Sequence, residues 1–229
     1  MKPKILAIVV LLLTASATNA QFFDKYGLSI GASYANQKWD YKLIPYKPDF
    51  GYKFGIAAFL FAEKDLSNVF SLKTELGYIQ KGFKDNMELR DDYGNIYDLT
   101  NSNVVLHNLE LEFGVKVHPF KLKSSPYGIL GLYGDYLISY KDASFLEHGS
   151  GLEYKLHKQD LKSFNKVTMG AFAGVGFELN RQFYIELGYS PALSNTYNDE
   201  SLKVKDQTFE LKVGVQLNRK KKEVLPAAS

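Results

Sequence analysis

From residue 21 onward the chain is ordered by a two-residue alternation of apolar and polar positions. This is the repeat of a β-strand, whose side chains point to opposite faces in turn. Eight segments carry it: about Tyr26–Tyr34, Phe50–Ala62, Val69–Phe83, Val104–His118, Tyr127–Tyr140, Lys166–Leu179, Gln182–Ser190 and Gln207–Leu217. The fourth is the clearest: Leu109, Leu111, Phe113, Val115 and Val117 alternate with Asn108, Glu110, Glu112, Gly114 and Lys116. The eighth repeats the theme, with Phe209, Leu211, Val213, Val215 and Leu217 against Glu210, Lys212, Gly214 and Gln216. In the fifth only Gly131 and Asp135 mark the polar face.

These segments exceed the usual ~5–6 residues of a strand in a soluble protein. They match the ~9–11 residues that a tilted strand needs to cross a bilayer. Their connections alternate strictly in length. Glu63 to Asn68, Pro119 to Pro126 and Asn180–Arg181 are short; Ala35 to Asp49, Lys84 to Asn103, Lys141 to Asn165 and Pro191 to Asp206 are long and polar. Short periplasmic turns and longer extracellular loops are the plan of an outer-membrane barrel. The pattern therefore predicts an all-β fold, an eight-stranded antiparallel up-and-down transmembrane β-barrel over residues 21–218.

A secreted eight-stranded barrel with its apolar face inward shares this alternation. The non-apolar face here argues for apolar-out. It mixes glycine with charges of both signs at Lys53, Lys73, Glu75, Glu110, Glu112, Lys116, Glu178, Glu186, Glu210 and Lys212. An eight-stranded lumen is just wide enough for side chains to fill, so these ten are expected to pair into a structural, mutually neutralising network, with glycines making room for long stems. Aromatic residues near strand ends (Tyr34, Tyr52, Phe70, Tyr78, Tyr127, Tyr140, Phe177, Phe183 and Tyr189) are expected to form the two interfacial girdles. A lipocalin would show Gly-x-Trp at its first strand. The single Trp39 stands in Gln37-Lys38-Trp39-Asp40 instead.

The N-terminus supplies a route to that membrane. Lys2 and Lys4 precede an unbroken apolar run, Ile5–Leu13, and small residues follow to Ala20. This is the layout of a cleaved secretory signal peptide over residues 1–20, with cleavage between Ala20 and Gln21. The run is too short to span a bilayer as a helix, which takes ~20 apolar residues. With no cysteine in the chain, a disulfide framework and any cysteine-based chemistry are excluded.

The net charge of +3 misleads. Two of the 28 basic residues lie in the export segment, and Arg219, Lys220, Lys221 and Lys222 form a basic C-terminal tail, 219–229, beside Glu223. The body between carries 22 basic against 24 acidic residues, which leaves no basic face for nucleic acid.

Several stretches resemble the outer-membrane β-barrel domain family that includes porin-family and PorT-like proteins. They are Leu109-Glu110-Leu111-Glu112-Phe113-Gly114-Val115-Lys116-Val117, Pro126-Tyr127-Gly128-Ile129-Leu130-Gly131-Leu132-Tyr133, Met169 to Leu179, and Tyr189-Ser190-Pro191-Ala192-Leu193-Ser194-Asn195. The resemblance covers nearly all of the chain after the export segment and implies an outer-membrane barrel. It brings no catalytic residues. The last strand departs from the pattern by ending on Leu217 and a basic tail instead of a terminal aromatic residue.

Four histidines are the only other candidates for chemistry. His148 and His157 share a long loop with Glu147, Ser150 and Glu153, while His107 and His118 sit near strand ends. A serine, a histidine and an acid in one loop can serve acyl transfer, but their spacing fits no catalytic motif. Asp85, Asp91, Asp92 and Asp98 lack the spacing of a calcium loop. No nucleotide, metal or organic cofactor is implied. The expected partners are outer-membrane lipid and the barrel insertion machinery. Three roles remain open: a structural, loop-display or complex-partner barrel that is not an enzyme; a narrow pore or transport accessory; and an outer-membrane lipid-modifying enzyme.

Overall fold

The computed structural model describes residues 22–43, 48–86, 89–90, 96–97, 99–120, 124–146, 152–180, 182–198 and 201–218. The Ala20–Gln21 junction and the tail 219–229 lie outside the described residues, as do Glu147, His148 and Ser150. Eight antiparallel strands close into a barrel: β1 (Lys25–Tyr41), β2 (Lys53–Asp65), β3 (Phe70–Lys84), β4 (Asn103–Val117), β5 (Ser125–Lys141), β6 (Val167–Leu179), β7 (Phe183–Pro191) and β8 (Leu202–Asn218). Each pairs with its chain neighbours, and β1 pairs with β8 to close the ring. That seam runs in unbroken register from Lys25↔Asn218 to Tyr41↔Leu202. Closure leaves no free sheet edge, as a strand-built membrane protein requires.

The three short turns share one end of the barrel with the start of β1 and the end of β8. Ser67 braces one of them, its Oγ accepting from the Val69 and Phe70 amides at 3.2 and 3.0 Å. Asn180 makes another by adopting a left-handed conformation, φ 51°, which asparagine tolerates better than most residues. At the loop end, Leu99–Asn101, Ser144–Leu146 and Glu153–Lys155 form a small three-stranded sheet above the barrel.

Two strands, β1 and β8, run five or more residues beyond the bounds that the alternation predicts. β1 continues to Tyr41 instead of stopping at Tyr34, and β8 begins at Leu202 instead of Gln207. The cause is an inversion of polarity. Along the lower β1, Leu28 and Ile30 face outward while Ser29 and Ser33 are buried within. Above Tyr34 the inner positions are Ala35, Gln37 and Trp39, with only Gln37 polar, and the outer ones become Lys38 and Asp40. β8 does the same, with Val204 and Leu202 inside and Lys205 and Lys203 outside. The pleat continues unchanged; only the chemistry of its two faces is exchanged where the barrel leaves the membrane.

The lipid-facing band is as the alternation predicts. Leu111, Phe113, Leu130, Leu132, Val175, Ile185, Leu211 and Val213 are all exposed on the exterior. Outward rings bound it. Tyr26, Phe70, Phe177 and Phe183 lie toward the turns. Tyr34 stacks with Tyr52 and Phe54 toward the loops, each at 4.6 Å between ring centroids. Tyr127 is the exception to the expected girdle: it is buried in the lumen, because its parity on β5 is that of Ile129, Tyr133 and Asp135, the inward set.

One ladder is broken. β2 and β3 pair continuously from Asp65↔Ser71 up to Ala57↔Ile79, and above that only through the isolated bridge Gly51↔Lys84. Gly82 lies opposite the gap at φ 121°, where a Cβ would stand 2.1 Å from the Val104 carbonyl oxygen. Only glycine fits that bend.

Candidate functional site

The lumen is built from a repeated three-part unit. An inward aromatic ring lies over a glycine on the neighbouring strand, and a lysine ammonium lies over the ring. Tyr127 packs on Gly176, Tyr133 on Gly170, Tyr184 on Gly214 and Phe59 on Gly77; a Cβ at any of these glycines would come within 2.2–2.4 Å of the ring. All four are cross-strand partners. Lys116 then sits 4.1 Å from the Tyr127 centroid, Lys81 4.2 Å from Tyr133, Lys73 4.6 Å from Tyr184 and Lys212 4.7 Å from Phe59. These are favourable cation–π distances in a desolvated setting. The inner glycines thus make room for rings, where the sequence suggested room for charged stems.

Carboxylates complete the filling in three tiers. Nearest the turns, Lys116 bridges Glu63 (3.0 Å) and Glu178, and Lys25 holds Glu63 at 2.8 Å. In the middle, Lys73 meets Glu186 at 3.0 Å and Glu75 at 3.2 Å. Lys212 meets Glu75 and Glu112 at 3.0 Å, with Glu210 and Glu186 at 3.6 and 3.7 Å. Tyr127 donates to Glu186 at 2.9 Å. In the upper tier Lys81 binds Glu110 at 2.5 Å and Asp135 at 2.8 Å.

Nine of the ten residues expected in the network are brought together here: Lys73, Glu75, Glu110, Glu112, Lys116, Glu178, Glu186, Glu210 and Lys212. Lys53 is not. It is buried, but its Nζ donates only to the Phe54 carbonyl, at 3.0 Å. It lies where the β2–β3 ladder is broken and so faces no lumen carboxylate. Three members were not singled out for the network. Lys81 and Asp135 show the right parity; Glu63 was read as part of a turn because β2 runs three residues further, to Asp65.

The network also holds more carboxyl groups than ammonium groups. Glu63, Glu75, Glu110, Glu112, Asp135, Glu178, Glu186 and Glu210 outnumber Lys73, Lys81, Lys116 and Lys212, even with Lys25 added. Glu110, Glu112 and Glu210 each bring an oxygen within 4.8 Å of the others.

Above the charges the lumen is closed by an apolar stopper of Trp39, Phe50, Phe83, Val104, Leu106, Ala143, Leu161, Phe164, Leu202 and Val204. Leu161 and Phe164 come from the loop after β5, which dips back into the barrel mouth. His157 pins that loop. Its Nε2 meets Asp85 Oδ2 at 2.7 Å, its backbone amide donates to both Asp142 oxygens at 3.1 Å, and its ring packs on Trp39, Phe50 and Phe83. Burial alone would lower the His157 pKa, but the nearby carboxylates of Asp160, Asp85 and Asp142 raise it to about 9. The imidazole is therefore a buried cation. Of the other candidates, Glu153 accepts from the Ser144 hydroxyl at 2.6 Å, and His107 Nδ1 meets the Tyr78 hydroxyl at 2.6 Å on the outer wall.

A closed ring of eight long antiparallel strands, apolar outside and charged within, defines a transmembrane β-barrel of the outer-membrane type. The chain belongs to the family of the outer membrane protein beta-barrel domain, whose pattern matches residues 5–218, and it resides in the outer membrane. No curated protein matches the sequence. Solved structures to which it is similar include Ail of Yersinia pestis in complex with the heparin analogue sucrose octasulfate. That match has 16% identity, covers 84% of this chain and 98% of that one, and has a TM-score of 0.43. OprG of Pseudomonas aeruginosa matches at 10% identity, over 86% and 97% of the two chains, with a TM-score of 0.46. Neisserial surface protein A matches at 14% identity, over 83% and 96%, with a TM-score of 0.43.

Proposed function

We propose that this barrel is a sealed, non-enzymatic scaffold that holds its long loops above the outer surface, for recognition or for assembly with a partner. The observation that carries the reading is the double closure of the lumen: stacked rings and ion pairs fill its lower part, and the Trp39-centred apolar stopper fills its mouth. Side chains that pack this way leave no continuous water column for solutes. The best-placed loop imidazole, His157, supports the non-enzymatic reading because it is already engaged by Asp85 and Asp142. Its expected partners are outer-membrane lipid and the insertion machinery that folds such barrels, with no role for nucleic acid.

Planar-bilayer recording of the purified protein tests the reading. The expected result is little or no steady conductance in the wild type. Larger currents are expected only when both closures are opened, with Phe83 and Leu202 changed to alanine together with several of the lumen charges. Stable porin-like conductance of the wild type would replace this reading by that of a narrow pore or transport accessory.

A further inference from the structure

The described charged residues are divided unevenly between the interior and the exterior. Among the described residues, eleven carboxylates and five lysines are buried, whereas six carboxylates and twelve lysines are not. Two of those lysines, Lys25 and Lys64, lie at the turn end and are ion-paired. The other ten, all toward the loops, have no ion-pair partner among the described residues.

One groove of about 680 Å³ concentrates this charge on the outer wall, beside the broken β2–β3 ladder. Lys53, Lys84 and Lys141 line it, with Gln80 and Asn103 as further polar groups, and no carboxylate is among its lining residues. Its membrane side is the stacked trio Tyr34, Tyr52 and Phe54. Lys53 is the telling residue, since a buried ammonium without a counter-ion is expensive to maintain. Packing alone would be served as well by methionine.

We propose that this groove receives the phosphate of an outer-leaflet lipid. Lys53 contacts the phosphate from the floor, Lys84 and Lys141 clamp it from the rim, and the lipid's apolar part lies along Tyr34, Tyr52 and Phe54. A lipid is favoured over a soluble anion because the three rings belong to the upper girdle, which stands at headgroup level. A phosphate arriving by lateral diffusion meets the groove at that height. The proposal does not depend on whether the lumen conducts.

The test uses the mature barrel in nanodiscs of phosphatidylcholine containing diphosphoryl lipid A, with retained lipid counted by native mass spectrometry after release into detergent. Lipid A should be retained by the wild type, and the same lipid stripped of its phosphates should not. The Lys84→Gln/Lys141→Gln variant, altered only at exposed positions, should bind about tenfold more weakly, the loss expected for charge-assisted hydrogen bonds. Lys158→Gln/Lys162→Gln, on the same side but outside the groove, should bind as the wild type does. Lys53→Met should also lose retention; if it fails to fold, the rim variant decides. Equal loss in the Lys158/Lys162 control, retention of the dephosphorylated lipid, or displacement by millimolar inorganic phosphate would each overturn the proposal.

Discussion

Lys81 offers the sharpest test of how the lumen is held together. It is fully buried and, among the described residues, is the only lysine bonded to Glu110 and Asp135, which face each other as cross-strand partners on β4 and β5. At an effective dielectric of about 20, a pair at such distances attracts by roughly 6 kcal/mol before desolvation is charged against it. Removing one partner of a buried ion pair generally costs about 3–5 kcal/mol net. Lys81→Met keeps the stem over Tyr133 and removes only the charge, so it should destabilise the barrel by an amount in that range. Lys158→Met, on the exposed helical turn, should change stability by less than about 0.5 kcal/mol. Adding Asp135→Asn to Lys81→Met should recover part of the loss, because it removes one of the two facing carboxylates. Urea titration of the protein folded in phospholipid vesicles, followed by tryptophan fluorescence of Trp39, measures all three. If Lys81→Met and Lys158→Met are indistinguishable, or if the double variant is no more stable than the single, the lumen is not held by charge pairing and the ion-pair argument fails.

Leu111→Arg and Val213→Arg place a cation on the lipid face and should each cost about 2–4 kcal/mol near the midplane; equal tolerance at Leu111 and at exposed Lys158 in the same refolding assay would refute the assignment of faces. The His157 pKa is raised from 6.5 to about 9 on folding, so its stabilising contribution is complete below the unfolded value and is lost as pH rises through about 9. Protection of the amides in the loop after β5, relative to their intrinsic exchange rates, should therefore fall between about pH 6.5 and 9 in the wild type, and this fall should vanish in His157→Gln; an unchanged pH profile in the variant would contradict the pinned-loop reading. Mass spectrometry of protein recovered from outer membranes should find Gln21 as the first residue, whereas an intact Met1 would remove the export argument.

Much of this was legible before any coordinates, because lipid and lumen impose opposite demands on alternate residues. Leu109 to Val117 can be read as a strand with its faces assigned, since no other environment selects that pattern so strictly. Legibility failed where the demand changed. Above the bilayer Trp39 and Val204 point in while Lys38 and Lys205 point out, so a search for outward apolar residues ends β1 and β8 too soon. Tyr127 was misplaced for a related reason. A tyrosine near a strand end suits a girdle, but its parity with Gly131 and Asp135 turns it to the lumen, where it packs on Gly176. Glu63 was lost to a turn, and Lys53 was credited with partners, because pairing across the barrel depends on strand height and on the broken ladder. Neither is encoded in local spacing. The stopper was invisible for the same reason: its members come from sequence positions between Trp39 and Val204 and meet only in the closed ring.

The seam between β1 and β8 also sets how tall the molecule stands. Seventeen residues per strand at ~3.4 Å each, tilted by ~40°, give a wall of about 40–45 Å. The apolar band that such barrels bury is only about 25 Å high. Roughly 15–20 Å of rigid sheet therefore rises beyond the hydrocarbon as a collar, and its turn end stays close to the opposite interface. Whatever meets the loops meets them at the top of this collar, clear of the lipid headgroups and level with the sugars that coat a bacterial surface. Shortening β1 and β8 together by one inward–outward pair at the collar would lower that platform by about 5 Å while leaving the membrane-embedded wall intact.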